Sequence, residues 1–548
     1  MNIKTLTDSD RIVQPNDYLE LCGIKDIDEY VNPTNKYVEN PLQHTNMLEA
    51  VQLFKYHYLN KDKAYILCDS GDTDGITSTV ILYKYMRRLN PNWIIKIGLH
   101  TGKQRGLQDE DLLNDILEKK PKLVIIPDSG SNDKEQAEIL KGNDISLLVL
   151  DHHDIDTPIE YGVLVNNQQG NVDHYGSGCA ETFMFLRALD MEFSHKWAND
   201  YIDLVGLSTI SDSMNVISQQ NRKYLAYGLF NPNNIKNTLL CALFEKKGLF
   251  DKDYTQKDIA FSIIPLINSV CRSDDQELKQ KMVLGFLGKY DIDEVVDLMC
   301  KAHSHQTYIV KKYTDKFVEN KDSKFNIYVS DELPRNYSGL IAQKILSKTN
   351  KPTIVGKDIN GKILGSCRSL FPIKDELNNN EYIDLAQGHP HAFGIGLKAE
   401  NLDLFIDSLD SLVLSSEPYI DVLQSWSIKS LPNELFGLYE PYNELWGKGL
   451  PKPIFHITDI NIKNKDINII GNGNTLKFKY KDIEFIIFNV SDIDKENFMC
   501  YNKGTKNINI QVVGSLGYNV WNGRKTPQIT VDKYEVVEKV KNNLEDLL

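Results

Sequence analysis

An α/β chain built on a doubly wound parallel sheet is predicted by three observations. Between residues 64 and 150, short apolar runs alternate with amphipathic stretches at the spacing of βα units. Acidic residues and a pair of histidines stand directly after those runs rather than inside them. Beyond residue 450 the chain changes to closely spaced strand patterns, which predicts a separate β-rich domain at the end.

Taken in order, residues 1 to 55 carry few signals apart from an amphipathic helix over 46–54. The periodicity then predicts strands over 64–68, 93–99, 122–126 and 145–150, separated by helices over 77–89, 109–119 and about 132–140. The run Ile145-Ser146-Leu147-Leu148-Val149-Leu150 has the length and branched content of a buried strand. Right-handed crossovers place the carboxyl ends of such strands on one edge, where ligands bind in open α/β sheets. Residues 230 to 312 read as mostly helical. His303 and His305 lie two apart in a helix there and do not share a face.

A chain of 548 residues is long enough for three or more cores. Hydrophobic content of 41% and charged content of 25% are those of a soluble globular protein, and no apolar run is long enough to span a bilayer. With no secretory leader pattern at Met1-Asn2-Ile3-Lys4, a cytoplasmic protein without a membrane partner is expected. The eight cysteines are scattered, so neither a zinc ribbon nor a disulfide framework is indicated. A net charge of -14 argues against indiscriminate coating of nucleic acid. It leaves room for a local basic channel, because residues 441–530 carry 12 basic against 8 acidic side chains.

Only residues just after a strand can share a site at the sheet edge. Asp69, Asp72 and Asp74 follow the first strand, Asp128 another, and Asp151, His152 and His153 the next. Asp212 closes an apolar helical stretch over 201–210. Each Asp taken singly reads equally as a helix cap. Capping does not account for Asp72 and Asp74 on alternate positions together with a double histidine. Imidazole with carboxylate suits Mn²⁺, Zn²⁺ or Fe²⁺, and carboxylate alone suits Mg²⁺. Two carboxylates bridged by a third have the layout of a two-metal phosphoryl-transfer site. No Walker-type loop is present.

Asp72-Thr73-Asp74-Gly75, Asp128, Asp151-His152-His153 and Asp212 resemble the four motifs of the DHH phosphoesterase superfamily. The later segments resemble its RecJ-like, single-stranded-DNA-specific exonuclease branch: Gly176-Ser177-Gly178-Cys179-Ala180, Asn221-Arg222-Lys223-Tyr224, Asn268-Ser269-Val270-Cys271-Arg272, Gly365-Ser366-Cys367-Arg368, Gly388-His389-Pro390-His391, and Leu445 to Phe455. The resemblance implies metal ligation by Asp72, Asp74, Asp128, His152 and Asp212, with two ions of Mn²⁺ or Mg²⁺. It implies a catalytic role for His153 beside them, and substrate contacts from Ser177, Arg272, Ser366, Arg368 and His389. Two positions depart from the family pattern: Cys68 stands where a histidine is common, and Gln387-Gly388 replaces a glycine pair.

The domain plan that follows is an N-terminal segment (1–55), a DHH catalytic domain (56–229), a helical connector (230–312), a DHH-associated α/β substrate-binding domain (313–415) and an OB-like nucleic-acid-binding barrel (416–548). The implied activity is 5′ to 3′ digestion of single-stranded DNA to mononucleotides in repair, recombination or replication. A helicase or single-strand-binding protein is the kind of partner to expect. Two alternatives stand beside it: a phosphodiesterase of short oligonucleotides or cyclic dinucleotides, and a catalytically silent replication scaffold.

Overall fold

A computed structural model describes the chain except for residues 9–10, 102–104, 410–411, 413–418, 464–465, 472, 499–504, 522 and 542–548. It divides into two compact units, one formed by residues 19–305 with 442–451, the other by 1–18, 306–441 and 452–548. The boundary expected at residue 415 lies outside the described residues, as do Cys500 and Asn522.

The first unit holds a wholly parallel sheet of β1 (Ala64–Cys68), β2 (Ile95–Leu99), β3 (Leu123–Pro127), β4 (Ser146–Asp151) and β5 (Val163–Asn166), in the order 2-1-3-4-5. β1 and β3 are buried at every residue, as parallel strands covered on both faces must be. Leu112, Leu113 and Ile116 of α2 (Glu110–Lys119) and Ala137 and Leu140 of α3 (Lys134–Gly142) share one core with Tyr65, Leu67, Val124, Ile126, Leu147 and Val149. Three further helices, α1 (Thr73–Leu89), α4 (Gly178–Phe193) and α5 (Ile202–Ser211), pack on one another.

Leaving β1, the chain crosses to β2 on one side and returns to β3 on the other. The carboxyl ends of β1 and β3 therefore flank the topological switch point, the crevice that such sheets use for ligands. Two local readings are corrected here. The helix expected from Thr77 begins at Thr73, because the Asp72 side chain caps it by accepting from the Gly75 amide at 3.2 Å. Asp74 thus sits in the first helical turn and not in a loop. A fifth strand over 163–166, four residues long and reached from β4 without a helix, had no periodic signal.

The rest of the unit is helical. It includes α6 (Ile264–Cys271) and the first part, up to His305, of a 25-residue helix, Ile292–Lys316, that carries His303 and His305. In the second unit, β6 (Asn326–Val329), β7 (Thr353–Ile359), β8 (Lys362–Arg368), β9 (Leu385–His389) and β10 (Ala392–Lys398) form a mixed sheet, with α7 (Ser338–Thr349) packed on β7 and β8. A seven-stranded sheet follows, from β11 (Gln424–Ser427) through β12 (Phe455–Lys463), β13 (Asn468–Ile470), β14 (Thr475–Tyr480) and β15 (Ile483–Phe488) to β16 (Thr505–Trp521) and β17 (Arg524–Lys541). The last two form one long antiparallel hairpin. The seven described cysteines are all free. No helix among the described residues is long and apolar enough to cross a membrane.

Candidate metal centre

The switch point collects four of the residues expected as ligands. His152, just past β4, places Nε2 at 3.2 Å from Asp128 Oδ1, 3.5 Å from Asp212 Oδ2 and 3.7 Å from Asp74 Oδ2. Asp128 follows Pro127 at the end of β3 with φ of +67°, its amide bonded to the Leu150 carbonyl at 2.8 Å. Its carboxylate is 1% exposed, and neither oxygen has a hydrogen-bond partner. A buried carboxylate is normally satisfied, so two orphaned oxygens facing an imidazole nitrogen fit a cation. Two overlapping sets have the donor spacing for an ion: Asp74 with His152 and Asp212, and Asp128 with Asp151, His152 and His153.

Asp74 is the best-supported of the group. Gly178 and Cys179, the first amides of α4, each donate to it at 2.8 Å, and the Ser208 hydroxyl of α5 donates as well. The α4 N-terminus was the anion-binding loop expected for a substrate phosphate. The structure gives its amides to Asp74 instead, the same helix-terminus chemistry turned inward. Ser177 is fully buried, caps α4 through the Ala180 amide at 3.2 Å and shares a 2.6 Å hydrogen bond with Ser208, so it is placed behind the carboxylates. Asp72 lies apart from both ion-spaced sets and pairs with Arg105 at 2.9 Å.

Asp151 divides its oxygens. Oδ1 accepts from His153 Nδ1 and the His152 amide, each at 2.8 Å, while Oδ2 accepts from the Ser131 amide and hydroxyl. It orients His153, and it fixes the backbone that carries His152. Burial would lower the His153 value, but the Asp151 contact prevails and brings it to about 9, so the half-exposed ring is a cation at neutral pH. Burial moves His152 the other way and keeps it neutral, the form in which imidazole accepts a metal. Asp154 only offers its carbonyl to Asn132.

The remaining expected residues lie elsewhere. Arg272 is the C-cap of α6, half-buried, one turn beyond Asn268, which accepts from Thr73 at 2.9 Å. In the second unit the Ser366 hydroxyl meets that of Ser338 at 2.9 Å, and the Arg368 guanidinium lies where a Cβ on Gly339 would stand 2.6 Å from it. Both therefore gather at the start of α7. Arg368 pairs with Ala392, and Ala392 with His389, so the exposed His389 stands in the same cross-strand row. Lys477 and Lys479 of β14 both pair with Glu484, at 3.0 and 3.3 Å, while Phe478 is buried and stacked on Phe485.

Arg105, His100 and Ser208 were missed. His100 and Arg105 come from a segment without a motif of its own, brought to the carboxylates by the sheet order, and Ser208 from the helix before Asp212, where its hydroxyl gave no signal beside the apolar pattern.

Against this geometry, the model of the DHH family N-terminal domain matches residues 63–209, and that of the RecJ OB domain matches 437–533. The chain thus carries a stretch similar to the DHH family N-terminal domain and one similar to the RecJ OB domain. It is 29% identical to a Bacillus subtilis (strain 168) protein provisionally named SPbeta prophage-derived single-strand DNA-specific exonuclease YorK, over 97% of this chain and 99% of that one. It is 23% identical to the single-stranded-DNA-specific exonuclease RecJ of the same organism, over 91% of this chain and 64% of that one. The fold matches that of Thermus thermophilus RecJ, solved with Mn²⁺, at a TM-score of 0.76 and 20% identity, over 96% of this chain and 76% of that one.

The crowding of these carboxylates has a measurable consequence. Burial, then the charges of Asp74 and Asp72, raise the Asp212 carboxyl to about 8, and burial with the same neighbours holds Asp128 well above its usual range. A carboxyl at about 8 when folded and about 4 when unfolded takes up a proton on folding between those values. Its stabilising effect is complete below the unfolded value and is lost as pH rises through about 8. A divalent ion neutralises the cluster where the proton has left. In thermal unfolding, Mn²⁺ is expected to raise the midpoint more at about pH 8.5 than at about pH 6. Equal shifts at both would place the ion elsewhere.

Proposed function

We propose that this chain is a divalent-metal-dependent exonuclease that hydrolyses single-stranded DNA from the 5′ end to mononucleotides, in DNA repair, recombination or replication. One observation carries the reading: the buried, hydrogen-bond-free carboxylate of Asp128 facing His152, in a chain similar along 97% of its length to a protein named as a single-strand DNA-specific exonuclease.

Asp74, Asp128, His152 and Asp212 would hold Mn²⁺ or Mg²⁺, with Asp72 turning from Arg105 to complete a two-ion site. The ions, when bound, activate water and neutralise charge on the phosphodiester. The chain's own residues do the rest. Asp74, tied to two α4 amides and Ser208, is fixed before any ligand arrives, so its geometry costs no reorganisation. His153 keeps its Nδ1 proton on Asp151 and has Nε2–H free to donate to a phosphate oxygen. Arg105, with a side chain 47% exposed, adds a second cation at the mouth of the site.

Ser366, Arg368 and His389 suit the terminal phosphate or nucleotide, and the OB domain suits the strand beyond it. A helicase or single-strand-binding protein would supply such a strand. Competition between a long single strand and dinucleotides tests the substrate class. Preferential digestion of the long strand is expected, and preferential cleavage of dinucleotides would make this a small-substrate phosphodiesterase.

A further inference from the structure

Asp69 is buried directly behind the carboxylates at the switch point, yet it has no place in the ion-spaced sets. Its Oδ1 accepts from the Gly71 amide at 2.9 Å and lies 3.4 Å from His100 Nδ1. Its Oδ2 has no hydrogen bond and faces Arg105 Nη1 at 3.4 Å. On its other side, His100 Nε2 lies 3.2 Å from the Gly106 carbonyl oxygen. Both neighbours of the imidazole are acceptor oxygens: Nε2 donates to the Gly106 carbonyl, while Nδ1 faces the Asp69 carboxylate without a hydrogen bond, and although burial would lower the ring's proton affinity the Asp69 charge prevails and raises it. His100 is 2% exposed, and its own carbonyl accepts from Ser70 at 3.3 Å and from Gln276 at 3.0 Å. None of these groups reaches solvent freely. A charged buried pair persists only where its surroundings hold it.

The two side chains have contacts that meet around Arg105. Asp69 holds the Arg105 guanidinium, and His100 holds the peptide carbonyl that follows Arg105. Arg105 is thus held at its guanidinium by Asp69 and followed by a Gly106 carbonyl that His100 fixes, and its second terminal nitrogen is on Asp72 at 2.9 Å. Gly106 fixes the path further: at φ of +60°, any Cβ there would lie 2.1 Å from Asp133 Oδ2, which accepts from the Leu107 amide. A half-exposed arginine on its own samples many rotamers, whereas this one is preorganised.

We propose that the Asp69–His100 pair is the positioning device for Arg105, retaining its guanidinium at the mouth of the site for a substrate phosphate when Asp72 turns to an ion. Neither residue touches the substrate; both act through Arg105. This rests on the exonuclease reading. The pair also sets a division of labour between carboxylates: Asp72 can release Arg105 without losing it, because Asp69 keeps the other edge of the guanidinium.

The test is a double-mutant cycle of Asp69→Asn with Arg105→Ala in the full-length protein, scored by KM and kcat on a 5′-phosphorylated single strand with Mn²⁺. Metal-free binding of the same strand, followed by fluorescence anisotropy, is the second readout. Asp69→Asn keeps an acceptor for Gly71 and His100 while removing the charge that holds the guanidinium. It is expected to raise KM about tenfold with kcat nearly unchanged, the pattern of lost ground-state binding. In the Arg105→Ala background the same substitution is expected to add nothing. His100→Gln, which can still donate to the Gly106 carbonyl, is expected to recover most of the binding that His100→Ala loses. Additive effects in the cycle, or a fall in kcat alone, would overturn the positioning role while leaving the exonuclease reading intact. Should Asp69→Asn fail to fold, the His100 pair decides: equal loss in both His100 variants overturns the proposal. Absence of any activity in the unsubstituted protein would remove both readings together.

Discussion

Asp128→Asn is expected to leave the chain folded, to raise its thermal midpoint, and to cut hydrolysis of single-stranded DNA by at least about a thousandfold. The two effects have one cause. Asp128 is buried with both oxygens unpaired and with Asp74, Asp72, Asp69 and Asp212 close enough to push its carboxyl up. That arrangement opposes folding in the absence of a cation, because a buried charge without partners is costly. The amide of Asn removes the charge and suits the left-handed backbone at φ of +67° better than most residues. What stabilises the fold thereby removes the anion that a divalent ion requires. Activity by single-turnover digestion and stability by calorimetry read the two separately. A variant less stable than the parent would mean that Asp128 is satisfied by something other than an ion.

Gly178→Ala is the second large effect, and it alters neither charge nor ligand. A Cβ at this position would stand 2.3 Å from Asp128 Oδ1 and 2.6 Å from its Cβ, so either α4 or the Asp128 side chain must move. The Gly178 and Cys179 amides hold Asp74, so a shift of α4 misplaces a second carboxylate. Displacements of about 1 Å cost roughly a hundredfold where geometry carries the rate. We expect a loss of that size in kcat/KM, with the circular dichroism spectrum unchanged. A loss below about threefold would show that α4 yields at no cost to the site.

The main sheet was legible because β1 and β3 are apolar throughout, β4 is apolar from Leu147 to Leu150, and the chemistry-bearing residues stand at or just after their carboxyl ends. Asp72, Asp128 and His152 each stand within four residues of such an end. Where reading failed, the missing information was tertiary. A four-residue β5 is too short to show a period. Nothing local distinguishes an α4 N-terminus that receives Asp74 from one that receives a phosphate: Gly176-Ser177-Gly178 reads the same either way. Arg105 and His100 lie in and beside the connection between β2 and α2, a segment without a pattern, and they matter only because strand order 2-1-3 sets that connection beside Asp69 and Asp72. The alternation over 475–480 puts Lys477 and Lys479 on the polar side of β14, but their pairing with Glu484 depends on the register with β15, where Lys479 stands opposite Glu484.

Whether the cluster of Asp74, Asp128, His152 and Asp212 drives stepwise hydrolysis of single strands from the 5′ end is read most directly from digestion of one end-labelled oligonucleotide. It is labelled at either end, offered single- or double-stranded, with Mn²⁺ or EDTA, to the parent protein and to Asp128→Asn. With Mn²⁺, the 5′ label is expected to leave at once as a mononucleotide while the 3′ label reports a descending ladder. The duplex should stay intact, and neither EDTA nor Asp128→Asn should permit cleavage. Immediate release of the 3′ label, internal cuts, or full activity in Asp128→Asn would contradict the assignment.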